Sequence, residues 1–276
     1  MRPPSVRPPA VAGQFYPAQS DTLQRDVDGY LAPLEAEVEF TRAIACVVPH
    51  AGYMYSGHVA GAVYRRLPSR ASYVVLGPNH FRRGAPLAVM ETGSWLTPLG
   101  RVPLNAALAE VARKACPALV EDATAHATEH SLEVQLPFLQ RRSPAFRLVP
   151  IAVGVSDYET LEALGHAVAQ AVQSSRETFA IVASSDLNHY EPDGVTRIKD
   201  RMAIDRILDL DPMGLYETVF RERISMCGFG PAVAMLVAVK DLRAQRAELI
   251  KYATSADAGG PRDSVVGYAG IIIIAD

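Results

Sequence analysis

Three short apolar runs in this chain break off in the same way, and that pattern limits what it can fold into. Ala43 to Val48 ends in Pro49-His50-Ala51-Gly52, and Ser72 to Leu76 in Gly77-Pro78-Asn79-His80. Phe179 to Ala183 ends in Ser184-Ser185-Asp186-Leu187-Asn188-His189. Runs of this length rich in Val, Ile and Leu read as strands buried on both faces. Segments with helical spacing separate them, so the chain is α/β, with a central mixed, largely parallel sheet flanked by helices on both faces.

Further elements follow from the same reasoning. Ser20 is expected to cap a helix carrying Leu23, Val27, Tyr30 and Leu31, and Asn105 one running through Ala115. A small-residue helix is predicted from Ser56 to Leu67, and a hairpin or loop from Trp95 to Val102. Glu129 to Arg142 has helical spacing, with Pro137 expected to kink it. Later helices are predicted at 158–172, 198–208, 212–220 and 231–242, and strands at 87–91, 148–153, 248–253 and 265–275. No stretch has linker composition, so residues 1–276 are expected to form one domain, with residues 1–12 a proline-rich arm lying on the surface.

A net charge of -3, with arginines only in scattered short pairs, gives no reason to expect nucleic acid. The 3 cysteines are far apart and odd in number, which argues against a disulfide framework and suits a reducing compartment. The N-terminus lacks the apolar stretch of a secretory signal, and the apolar run Val265 to Ala275 is too short to span a membrane. A cytoplasmic location without membrane association is therefore expected.

In an open α/β sheet, ligands bind beyond the carboxyl ends of the strands. His50, His80, Asp186 and His189 should thus converge if their strands are parallel neighbours. Neutral imidazoles and carboxylates gathered there suit iron, zinc or copper. Against this, any one histidine is usually a satisfied side chain, and Ser184 or Ser185 with Asp186 would serve equally well as a helix cap. Asp186 and His189, three apart, would share a face of one helical turn, so that the carboxylate could orient the ring. Cys227, in the turn Met226-Cys227-Gly228, is the best thiolate candidate; Cys46 lies mid-strand and Cys116 precedes Pro117. His126 and His130 have helical i, i+4 spacing without completing a zincin pattern. His130 reads as a pocket wall or proton shuttle, and His126 as a surface or outer residue.

Several segments in order resemble the Memo family, whose microbial members are also called AmmeMemoRadiSam system protein B. They are Gly13-Gln14-Phe15-Tyr16-Pro17, Pro49-His50-Ala51-Gly52-Tyr53, Gly77-Pro78-Asn79-His80, the stretch Glu129 to Pro137, Ser184 to Tyr190, and Met226-Cys227-Gly228. The resemblance implies a fold similar to class III, LigB-like extradiol dioxygenases. It also implies a metal site at His50, His80 and Cys227, with Asp186, His189 and His130 lining the pocket as catalytic candidates. Iron or copper is the implied metal, with zinc as a further option; radical-SAM and AMMECR1-like proteins are the implied partners.

A ring-cleaving iron site wants two histidines and a carboxylate, so a cysteine in third place argues for the fold rather than for catechol cleavage. The expected function is a non-haem redox metalloprotein of unknown substrate. The alternatives are a peptide- or partner-binding protein that does no chemistry and, less favoured, a zinc-dependent hydrolase.

Overall fold

The computed structural model describes residues 6–32 and 40–275. In chain order the first half contains β1 (Val6–Arg7), α1 (Ser20–Leu31), β2 (Ala43–Val48), α2 (Tyr53–Tyr64), β3 (Ser72–Pro78), β4 (Leu87–Val89), β5 (Ser94–Thr97), β6 (Gly100–Pro103), α3 (Ala106–Ala115), β7 (Val120–Glu121) and α4 (Leu136–Arg142). The second half contains β8 (Arg147–Val153), α5 (Tyr158–Ser174), β9 (Phe179–Ser184), β10 (His189–Glu191), α6 (Asp193–Leu208), α7 (Pro212–Arg221), α8 (Phe229–Asp241), β11 (Ala244–Thr254) and β12 (Val265–Ala275).

The main sheet is mixed, and its centre is parallel in the order β2-β9-β3-β8. Antiparallel β12 and β4 flank that centre. β11 pairs with β12, and β7 with β4. A small second sheet joins β1, β5 and β6.

Alternate residues of each central strand enter opposite cores, as the two-residue period of a strand requires. Ala45, Val47, Ile271 and Ile273 join the layer containing α3, α5, α7 and α8, whereas Cys46, Val48, Ile272 and Ile274 join the layer of α1, α2 and α4. Burial on both faces is why these strands read as unbroken apolar runs rather than as alternating ones.

The register fixes where the strands stop. Val48 stands opposite Ser184, and Leu76 opposite Ala183, so β2, β9 and β3 release their chains at nearly the same level of one sheet edge. The residues beyond them must therefore meet.

Several local expectations need correction. Ser20 is the first residue of α1 and not its cap; Gln19 occupies that position without a side-chain bond. α2 begins directly after Gly52 instead of at Ser56. Pro137 opens α4 instead of kinking a longer helix, since its missing N–H costs nothing in a first turn. Residues 129–132 are not helical, because their polar groups are bonded to β3 and β9 across the sheet edge. Of the proline-rich arm, residues 1–5 lie outside the described residues. Val6 and Arg7 pair with Ser94 and Trp95, and Arg7 is buried and not laid on the surface. Among the described residues no helix is long and apolar enough to cross a membrane.

Candidate metal centre

Beyond the ends of β2, β3 and β9, His50, His80 and His130 bring ligand nitrogens within 4.8 Å of one another. Their rings are close: centroids lie 5.1 Å apart for His50 and His80, and 4.6 Å for His80 and His130, the latter pair stacked. They stand at the floor of a cleft of about 710 Å³, within the range of small-molecule sites. Phe15, Tyr55, Tyr190 and Tyr268 contribute to its walls.

Hydrogen bonding sets which nitrogen each ring presents. Ser184 Oγ donates to Ser131 O at 2.6 Å, so its remaining capacity is to accept. His50 Nδ1, 2.9 Å from that oxygen, therefore carries the proton and leaves Nε2 with its lone pair. His80 Nδ1 lies 2.9 Å from Glu129 Oε1, and an ionised carboxylate only accepts, so His80 likewise presents Nε2. This carboxylate–histidine arrangement is the one that orients metal-binding imidazoles.

For His50 and His130 the electrostatics favour the neutral ring. Burial holds His50 well below the usual imidazole range, helped by the neighbouring His80. Burial, followed by His50, brings His130 down to about 4. Burial alone would raise Glu129, but the hydrogen bond and charge of His80, the Ser131 N–H and His130 outweigh it and bring the carboxyl to about 2. At neutral pH the floor thus combines neutral His50 and His130 with an anionic Glu129.

Cys227 stands beside this group, its Sγ 3.1 Å from His50 Nε2. Burial and then Asp186 push its thiol well above the ordinary value, so the thiol is protonated, with His50 Nε2 and Asp186 O both within its reach. Gly228 allows the approach, because a Cβ there would stand 2.4 Å from Ser184 O. Gly77 does the same for the other wall, where a Cβ would meet Ser131 Oγ at 2.6 Å.

A model of the Memo-like protein family matches residues 7–272. A MEMO1 family protein of Methanosarcina barkeri is 44% identical over 270 residues, covering 97% of this chain and 100% of its own. One from Pyrobaculum arsenaticum is 44% identical over 276 residues, covering 97% and 98%. This chain belongs to the Memo-like family.

Within the Memo-like chain the sequence candidates fall into two groups. His50 and His80 meet as expected, but the histidine completing the cluster is His130, whereas Cys227 touches it through His50. Asp186 and His189 line the same cleft, though not as a pair on one helical turn: residues 185–188 are a loop, and His189 opens β10. Asp186 Oδ1 accepts the backbone N–H of His50 at 2.8 Å, while His189 Nδ1 donates to Ser225 O at 2.9 Å. Asp186 therefore orients the His50 backbone and not the His189 ring. His126 is in a short 3-10 turn, fully buried, its ring 5.6 Å from Trp95. The helical pairing of His126 with His130 does not form.

Sequence reasoning passed over Glu129, Ser184 and Ser225 as partners of the histidines. Only the adjacency of Glu129 to His130 hinted at one of them, because Glu129 and His80 are 49 residues apart.

Proposed function

We propose that this cleft holds a single iron or copper ion and serves a redox reaction on a small molecule. The observation carrying the reading is the cluster of His50, His80 and His130 at the cleft floor. Three imidazoles, with two of the presented nitrogens fixed by Glu129 and Ser184, fit a borderline transition metal. Cys227 would add a thiolate on the side of His50 once metal binding displaces its proton. A bound ion would supply Lewis acidity or one-electron chemistry there.

The chain's own groups supply the rest. His189 lines the cleft with Nε2 free, since Nδ1 is spent on Ser225, and can take a proton from a bound molecule. Asp186 holds the His50 backbone in place.

The test is elemental analysis and visible spectroscopy on anaerobically prepared protein. Stoichiometric iron or copper is expected in the wild type and lost in His50→Ala and His80→Ala, with the thiolate-to-metal absorption absent in Cys227→Ser. Equal metal in all variants would reject the site. Zinc alone would instead favour the hydrolase.

The cleft rim supports a second reading, in which a peptide or partner protein docks over it. Tyr190, which lines the cleft, is 78% exposed, and Phe81, its ring 6.4 Å from that of His130, is 53% exposed. Binding of radical-SAM or AMMECR1-like proteins that is equally tight with and without metal would favour this reading.

A further inference from the structure

The stretch from His126 to Glu133 carries two groups of the centre, Glu129 and His130, yet it has little regular structure to hold it. Its support comes from the other end of the chain. Arg7 on β1 is buried at 4% exposure, and its guanidinium reaches three points of that loop. Nε donates to His126 O at 2.7 Å, Nη2 to Glu129 O at 2.7 Å, and Nη1 to Glu133 Oε2 at 2.5 Å. The plane of the guanidinium lies over Trp95, 4.1 Å from the ring centroid, which fixes its direction.

The N-terminal segment adds further bonds along the same loop. Ala10 N and Val11 N donate to the Glu133 carboxylate, and Tyr16 Oη donates to its Oε1. Phe15 packs its ring 4.6 Å from that of His130. A guanidinium is suited to this because it offers five donors in a rigid plane; an ammonium on a flexible stem cannot reach the same three acceptors.

We propose that Arg7 is a positioning residue that latches the N-terminal segment onto the 126–133 loop and thereby sets the aim and tautomer of His80 through Glu129. The backbone of Glu129 is held from behind by Arg7, while its carboxylate grips His80 N and Nδ1 in front. Releasing the first grip lets the carboxylate drift, and His80 then loses the acceptor that keeps its proton on Nδ1. The latch rests on the metal-site reading for its purpose but not for its geometry.

The test compares Arg7→Lys and the double variant Arg7→Met/Glu133→Gln with wild type. The double variant removes both charges of the buried pair together, so no lone charge is stranded. Its circular dichroism is compared with wild type to show that it folds, because Glu133→Gln leaves one oxygen for Ala10 N, Val11 N and Tyr16 Oη. Nitrogen-resolved NMR of histidine-labelled, metal-free protein reads the His80 tautomer; Co2+ titration reads the site. Among neutral His80 rings, wild type is expected to show the Nδ1–H tautomer alone, and both variants to show mixed tautomers. Co2+ affinity should fall about 10-fold or more, as for loss of an outer partner of a metal-bound histidine. Unchanged tautomer and unchanged affinity in the folded variants, even with a lower melting temperature, would overturn the latch and leave Arg7 as a stability residue. If wild type binds no Co2+ but the tautomer still responds to Arg7, the metal reading fails and the latch stands.

Discussion

Glu129 grips His80 at two points, Oε2 accepting its backbone N–H at 2.8 Å and Oε1 its ring Nδ1 at 2.9 Å. One carboxylate thus fixes both the position and the proton of a ring whose strand is remote in sequence. Glu129→Gln cannot accept at both points, because one oxygen becomes an amide donor. Metal affinity, measured by competition with a chelator, is expected to fall about 10- to 100-fold. Unaltered affinity would show that His80 needs no orienting partner.

Cys227 approaches His50 because residue 228 has no side chain. A Cβ at Gly228 would stand 2.4 Å from Ser184 O and equally close to the Ser185 side chain, and backbone cannot swing aside as a flexible side chain does. Gly228→Ala is therefore expected to destabilise the fold by about 1–3 kcal/mol. It should also move Cys227 away from His50, weakening the thiolate-to-metal absorption. Denaturant unfolding and the visible spectrum of the loaded protein check the two effects separately.

The sheet and the gathering of histidines at its edge were legible in the sequence, because strands buried on both faces write unbroken apolar runs and end abruptly. The same logic placed His50 and His80 together. It gave His130 only as a pocket wall or proton shuttle and not as a member of the cluster, because its position depends on a loop held by Arg7 from far along the chain. Helical spacing from Glu129 to Gln135 was misleading for the same reason, since local periodicity carries no record of bonds made to β3 and β9. Asp186 and His189 were found but mispaired. Their three-residue spacing implies one helical turn only if the backbone is helical, and here it runs through a loop into β10.

Tyr190 holds a left-handed backbone conformation, φ 62°, in the bulge where β10 pairs with β12, and its side chain is largely exposed at the cleft mouth. Such a conformation costs a side chain roughly 1–2 kcal/mol and a glycine very little. Tyr190→Gly is expected to gain up to about 1 kcal/mol in denaturant unfolding, after the extra chain entropy of glycine is offset. Metal content should be unchanged, while binding of any ring-bearing ligand should weaken. A destabilised variant would mean that the tyrosine ring contributes packing that outweighs its strain.

Asp200 gives the fold a pH dependence of its own, away from the histidines. It is fully buried, accepts from Tyr252 Oη at 2.7 Å and from Asn188 N at 2.8 Å, and burial raises its carboxyl to about 7 despite those two donors. In the unfolded chain the carboxyl returns to its ordinary value of 3.8. The native state then binds the proton more tightly than the unfolded state, so stability falls with rising pH wherever only the native state is protonated. The Asp200 contribution is full below about pH 4 and is lost as pH rises towards 7, a change on the order of 4 kcal/mol. Asp200→Asn keeps an acceptor for the Asn188 N–H and turns a donor to the Tyr252 hydroxyl, which can accept it, without the titration. Its unfolding free energy should therefore lose this slope between pH 4 and 7, and the variant should be the more stable of the two proteins above pH 7. Parallel stability curves for the two proteins across that window would show that Asp200 stays ionised in the native state.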